Sequence, residues 1–107
     1  MRELKEEAGF GARRVTRLRA MTLAPAYMGH QTWLMLAEDL YPERLEGDEP
    51  EELEVLPWRL DALDQLMLRE DCSEGRSLAA MFIVREFISL RARGLLPDDA
   101  PRPQDVA

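Results

Sequence analysis

The order of polar and apolar residues predicts a short helix followed by two strands. Positions 2–8 consist of residues that favour helix, and Gly9 is expected to end this helix in the left-handed conformation. Apolar residues interleaved with arginines over positions 12–21 predict a partly exposed strand. Positions 30–40 contain a continuous apolar run, which predicts a central strand buried on both faces. Helix is the alternative for this run, because its Leu, Met and Ala residues are not β-branched.

The second half of the chain predicts two helices. A long acidic loop is expected over positions 41–54, and a short strand over positions 53–58. Apolar residues at helical spacing then predict an amphipathic helix at 60–69 and a longer, largely apolar helix that ends near Arg93. The polar residues at 71–73 separate these helices and are expected to cap the second one.

Composition narrows the class of protein. The 107 residues are enough for one domain, and an apolar share of 46 % with 33 % charged residues fits a chain that buries a core. No run of about 18 apolar residues occurs, so we expect no membrane span. The net charge of −7 makes nucleic acid an unfavourable partner. The single cysteine, Cys72, excludes a disulfide within these residues and fits a reducing, cytoplasmic location.

Three carboxylates are spaced for one face of the first helix. Glu3, Glu6 and Glu7 stand at i, i+3 and i+4, so they project within an arc of about 100°, whereas Lys5 points to the opposite side. A hard divalent cation would offset their mutual repulsion, and Mg²⁺ usually takes one or two carboxylates together with substrate phosphates. The alternative is an ordinary exposed helix in which Arg2 and Glu6 form a surface pair.

The segment Arg2–Phe10 resembles the second half of the Nudix box, and every fixed position of that half is filled. The full motif is Gly-x5-Glu-x7-Arg-Glu-U-x-Glu-Glu-x-Gly-U, in which U is a bulky apolar residue. Together with other segments, this one resembles the hydrolases of ADP-linked compounds within the Nudix superfamily, over about residues 1–92. The other similar segments lie at positions 24–27, 37–43, 45–51, 74–77 and 85–87.

The resemblance implies an α/β fold. We expect the C-terminal part of a Nudix α/β/α sandwich with a mixed sheet. Residues 1–93 would form a partial Nudix hydrolase domain, and residues 94–107, with three prolines, would form a disordered tail.

The resemblance also implies a reaction and the residues that carry it. Hydrolases of this kind use Mg²⁺, with Mn²⁺ as a possible substitute, to cleave the pyrophosphate of ADP-ribose, NADH or diadenosine polyphosphates and release AMP. Glu3, Glu6 and Glu7 match the carboxylates of the motif that bind metal. Arg2 matches the arginine that orients the neighbouring glutamates.

The general base and the nucleotide contacts are less directly indicated. In some Nudix enzymes the first Glu of this half-motif takes the proton, which here is Glu3. In others a glutamate of a later loop does so, and Glu51 of the acidic loop is the corresponding candidate. Tyr27 is a candidate for stacking on adenine, although an ordinary loop aromatic is the alternative.

The first half of the box would precede Met1, so the chain is expected to be part of a longer fold. The early strands of the family, and with them much of the substrate and dimer surface, would be missing as well. A homodimer is expected for the full-length form. The alternative function is that of a truncated, non-catalytic fragment that acts as an interaction domain through its exposed sheet edge or apolar surface.

Overall fold

The computed structural model describes residues 2–22, 26, 29–44 and 55–106. These residues fall into two compact units. The described parts of 1–19, 35–56 and 101–107 form the first unit, and those of 20–34 and 57–100 form the second. In chain order the elements are α1 (Arg2–Ala8), β1 (Phe10–Thr22), β2 (Gln31–Pro42), a 3₁₀ turn (Leu60–Ala62), α2 (Leu63–Met67), α3 (Gly75–Ala92) and β3 (Gln104–Asp105).

The described strands form one sheet in the order β2–β1–β3. β3 runs antiparallel to β1, with Arg14 opposite Asp105, and the Val106 N–H donates to the Arg13 carbonyl at 2.7 Å. A parallel pair, which the expected mixed sheet requires, is not among these strands. The segment 94–107, expected to be a disordered tail, thus contributes a short strand. Local composition does not predict this strand, because its hydrogen bonds depend on a partner far away in sequence.

β1 confirms the predicted strand and extends it at both ends. Ala12, Thr16 and Leu18 are buried, whereas Arg17 and Arg19 are exposed, so the second part of the strand alternates between two environments. The hydroxyl of Thr16 has no hydrogen-bond partner among the described residues. The first unit therefore has a small core built on one face of β1.

β2 is a strand, as predicted, but it is not buried on both faces. The side chains of Trp33 and Met35 are 53 % and 47 % exposed, and Leu34 between them is half-buried. β2 lies at one end of the described sheet, so it has a strand neighbour on one side only. The expectation failed because an apolar run shows that a strand can be covered, not that another layer covers it.

α3 confirms the predicted long helix and its end. Arg93 is the C-terminal capping residue, and Gly94 follows with a φ of +68°. The N-terminal cap is Glu74 rather than a residue of the polar break at 71–73. The Glu74 carboxylate accepts a hydrogen bond from the Ser77 N–H at 2.6 Å, which satisfies one of the helix's unpaired donors. No described residue of α3 is fully buried.

The other predictions for the second half are met in part. The helix expected at 60–69 is present as the 3₁₀ turn and α2, and the indole N–H of Trp58 donates to the Ala62 carbonyl at 2.8 Å. The strand expected at 53–58 is wrong for residues 55–58, which have no regular structure. Pro57 lacks the N–H that a ladder needs. Residues 53 and 54, and most of the acidic loop, lie outside the described residues.

Candidate functional site

The helix of the candidate site is confirmed. α1 covers Arg2–Ala8, and Gly9 follows it with a φ of +77°, in the left-handed region that glycine adopts without strain. Glu3 and Glu7 are exposed, and Glu6 is half-buried. The three carboxylates therefore lie within about one turn of a real helix, and at least two of them are open to solvent.

Lys5 lies on another side of α1 and makes different contacts. Its side chain is only 18 % exposed, and Lys5 Nζ is 3.0 Å from Oε2 of Glu43, just after β2. The hydrogen bond to the Glu43 carboxylate raises the pKa of Lys5 above its ordinary value, against an opposing effect of desolvation. Lys5 was predicted to point away from the carboxylates. Its low exposure, compared with the exposed Glu3 and Glu7, agrees with that prediction.

The ring of Tyr41 is the second contact of Lys5. Lys5 Nζ lies 5.9 Å from the ring centroid, and Cζ of Arg13 lies 4.8 Å from it. Both are within the range of a cation–π interaction. The Arg13 guanidinium also donates to Asp39 Oδ1 at 3.4 Å, and Asp39 has a φ of +56°, which is uncommon for a residue other than glycine. The Tyr41 ring thus joins α1, β1 and β2 within the first unit.

Two glycines allow this close approach. A Cβ on Gly11 would come within 2.4 Å of the Tyr41 ring, a distance that real Cβ atoms do not reach. A Cβ on Gly9 would come within 3.2 Å of Nη1 of Arg44, and the Gly9 carbonyl accepts a hydrogen bond from the Glu43 N–H at 3.1 Å. The turn after α1 is therefore packed directly against the end of β2.

Mg²⁺ fits the chemistry of the donors on α1, but the helix alone does not enclose a cation. Among the described residues, no group of three or more His, Cys, Asp or Glu side chains is arranged to hold a metal ion. Carboxylate oxygens are nevertheless the ligands that Mg²⁺ prefers, and Mg²⁺ commonly takes only one or two of them and completes its shell with water and phosphate. Glu3, Glu6 and Glu7 therefore fit as individual ligands.

Several predicted site residues lie outside the part of the chain that the structure describes. These are Tyr27 and Glu51, together with the side chain of Arg2. His30 is exposed just before β2, and Cys72 is half-buried. No helix in the described ranges has the length and apolar character needed to cross a membrane.

Sequence reasoning missed Glu43 and Tyr41 as partners of the helix. Both fall in a segment whose resemblance was noted, but neither was given a role. The only sequence signal was a single lysine opposite three glutamates, which indicates a separate environment for that side of the helix without identifying what covers it.

This chain is similar to known proteins in both sequence and fold. No protein-family model matches it. The ADP compounds hydrolase NudE of Escherichia coli (strain K12) is 45 % identical to it over 92 residues, which are 86 % of this chain and 50 % of that protein. A crystal structure of an ADP compounds hydrolase matches with a TM-score of 0.77 and 44 % identity, over 89 % of this chain and 50 % of that one.

The resemblance to the Nudix ADP compounds hydrolases is confirmed. The comparison by sequence and the comparison by fold both reach an ADP compounds hydrolase. The structural match also confirms the predicted α/β fold class as part of a Nudix fold. The chain spans about half the length of the relative and of the solved structure that it matches.

Proposed function

We propose that this chain supplies the carboxylate helix of a Nudix hydrolase that cleaves the pyrophosphate of an ADP-linked small molecule. The observation that carries the proposal is α1 itself, which has three glutamates within one turn and a left-handed glycine after it. The relatives support it, since both are named as ADP compounds hydrolases. ADP-ribose, NADH and diadenosine polyphosphates are the candidate substrates that the resemblance implies.

Glu3, Glu6 and Glu7 would hold Mg²⁺, or Mn²⁺ in its place. When bound, the cation would neutralise charge on the diphosphate oxygens during attack by water. The chain's own part is to present the carboxylates to solvent, as the exposure of Glu3 and Glu7 supports. The side chain of Arg2 is proposed to orient these glutamates.

A cytoplasmic location is proposed as well. The sequence has a single cysteine, which cannot form a disulfide within these residues and fits a reducing compartment.

The reaction is hydrolysis of a phosphoric anhydride. The oxygen of water forms a bond to one phosphorus, the bond from that phosphorus to the bridging oxygen breaks, and the electron pair leaves on the other phosphate. For ADP-ribose the products are AMP and ribose 5-phosphate. A carboxylate takes the proton of the attacking water, and Glu3 and Glu51 are the two candidates. Tyr27 is proposed to stack on the adenine.

The test measures the release of AMP from ADP-ribose by chromatography, with and without Mg²⁺. The double variant Glu6→Gln and Glu7→Gln keeps the side-chain size but removes two charges. We expect the variant to lose activity by more than about tenfold, in line with the loss of groups that act on the developing charge. Survival of Mg²⁺-dependent AMP release within tenfold contradicts the assignment of these residues.

The exposed apolar residues favour a second candidate function, that of a non-catalytic interaction domain. Within the described residues only Ala12, Leu18 and Leu63 are buried apolar side chains, whereas large ones such as Trp33 and Phe82 are about half exposed. Surfaces of this kind commonly contact another protein or a second copy, which for the full-length form would be the expected homodimer. An inactive chain that associates in light scattering supports this candidate over catalysis.

A further inference from the structure

Beyond the carboxylates, α1 has a second side that is anchored to the rest of the first unit. Lys5 differs from Glu3 and Glu7 by about 160° around the helix axis and from Glu6 by about 100°. The Lys5 side chain is 18 % exposed, with its ammonium group 3.0 Å from the Glu43 carboxylate and 5.9 Å from the centre of the Tyr41 ring. The exposed carboxylates and the anchoring cation therefore occupy different faces of one short helix.

The contacts of Lys5 matter because α1 is too short to be a stable helix without tertiary contacts. It has seven residues, whereas isolated helices shorter than about 12 residues are marginal in water. The contact between the Gly9 carbonyl and the Glu43 N–H, at 3.1 Å, fixes where the helix ends. A contact at one end does not fix the rotation of the helix about its axis. Lys5, in the middle of the helix, is placed to fix that rotation.

We propose that Lys5 is a positioning residue, which fixes the rotation of α1 against Glu43 and Tyr41 so that Glu3, Glu6 and Glu7 are oriented towards a divalent cation. The inference rests on the proposed function, because it assumes that these carboxylates bind metal. Lys5 itself does not touch the cation or the substrate. A compact ammonium group with three donors suits this place, since it contacts a carboxylate and lies over an aromatic ring at the same time.

The sign of one measurement separates positioning from a simple effect of charge. Lys5→Met keeps most of the apolar length of the side chain but removes a positive charge one helical turn or less from three carboxylates. Coulomb's law alone therefore predicts that the variant binds a divalent cation more tightly than the original chain. Positioning predicts weaker binding, because the helix that carries the carboxylates loses its fixed rotation.

The experiment titrates the 107-residue chain with Mn²⁺ and follows free Mn²⁺ by electron paramagnetic resonance, without any assay of activity. We expect Lys5→Met to weaken Mn²⁺ binding by about three- to tenfold, less than the 10- to 100-fold typical of partners that touch a metal ligand directly. Lys5→Arg keeps a cation within reach of Glu43 and is expected to restore binding to within about twofold. The titrations are made at a temperature where circular dichroism shows each variant folded.

Arg59→Met is the matched control. Arg59 pairs with Asp61 at 2.6 Å, so this variant also removes a cation from an exposed ion pair, but one that does not involve α1, β1 or β2. Its Mn²⁺ affinity is expected to stay within about 1.5-fold of the original, because the ion pair that it breaks is exposed and lies between two residues of one short segment, 59–61.

The possible outcomes separate the two proposals. Unchanged or tighter binding in Lys5→Met overturns the positioning role and leaves the carboxylate site intact. Equal weakening in Arg59→Met also overturns it, since the effect would then be general. If the original chain itself binds no Mn²⁺, the metal assignment of the proposed function fails, and the role of Lys5 fails with it.

Discussion

α1 and α3 are helices that are held in place by opposite means. α1 has seven residues and depends on contacts with residues distant in sequence, namely Tyr41, Glu43 and Arg44. α3 has 18 residues, its own Glu74 cap and a glycine after its end, and none of its described residues is fully buried. The short helix therefore depends on tertiary contacts, whereas the long one also has determinants in its own sequence, a cap before it and a glycine after it.

The difference matters for function because the two helices carry different candidate roles. Under the proposed function the carboxylates of α1 need a fixed orientation, and the contacts of Lys5 with Glu43 and Tyr41 are proposed to supply it. The apolar side chains of α3 require a covering surface, and the described residues of the chain bury none of them fully. Catalysis and association are thus proposed for different helices, so variants can affect them separately.

The largest effect is expected from Gly11→Ala, which disturbs the support of α1. The new Cβ would lie 2.4 Å from the Tyr41 ring, so the ring that contacts Lys5 must move. Overpacking of this kind costs about 1–3 kcal/mol of unfolding free energy. Urea denaturation measures the loss, and amide hydrogen exchange is expected to quicken in α1 more than in α3.

Gly29→Ala is the matched control for this prediction. A Cβ at Gly29 meets nothing within 4 Å, and its φ is not positive, so the same chemical change carries no clash. Its unfolding free energy is expected to stay within about 0.5 kcal/mol of the original. A similar loss in both variants would mean that the Tyr41 contact does not support α1.

A smaller effect, confined to the other helix, is expected from Glu74→Ala. This change leaves the Ser77 N–H at the start of α3 without its acceptor and removes the partner of Arg76 at 2.6 Å. A fall in melting temperature of about 4–8 °C is the expected size for the loss of one cap in a chain of this length. Hydrogen exchange should quicken at the start of α3 and stay unchanged in α1, and the reverse pattern contradicts the comparison.

Acid is expected to act on the same cap. Arg76 first, and the Ser77 N–H next, hold the pKa of Glu74 below its ordinary value of 4.5. A carboxyl whose pKa is lower in the folded state stabilises the fold above its unfolded pKa, and this contribution is lost as the pH falls through the folded pKa. Melting temperatures between pH 6 and pH 3 should therefore converge for the original chain and Glu74→Gln. If the two melting temperatures instead differed by the same amount at every pH, protonation of Glu74 would not contribute to stability.

Sequence alone predicted the parts of the fold that local rules determine. α1 with Gly9 after it, the strand β1 and the end of α3 at Arg93 all follow from residue preferences within a few positions. The exposure of β2 and the existence of β3 did not follow, because both depend on which strands lie alongside. The sequence of an apolar run or of a proline-rich tail does not indicate which strands will lie beside it.

The candidate site also has one part that local sequence predicts and one part that depends on residues distant in sequence. The spacing of Glu3, Glu6 and Glu7 predicted one helical turn of carboxylates, and the structure has that helix. The partners of Lys5 were not predicted, because Glu43 and Tyr41 come close only when the end of β2 lies beside α1. A motif specifies the groups that act, whereas the groups that orient them are specified by the fold.

The smallest effect on stability is expected from Phe82→Ser in α3. The Phe82 ring is 51 % exposed and its contact with the Arg85 guanidinium, at 5.3 Å from the ring centroid, lies within the same helix. Replacing a surface residue of this kind usually changes the unfolding free energy by less than about 0.5 kcal/mol. If α3 is a surface for association, however, the variant should shift the chain towards monomer in light scattering at high concentration. Lower stability without a change in association would show that Phe82 packs within the chain, and α3 would then resemble α1 in depending on tertiary contacts.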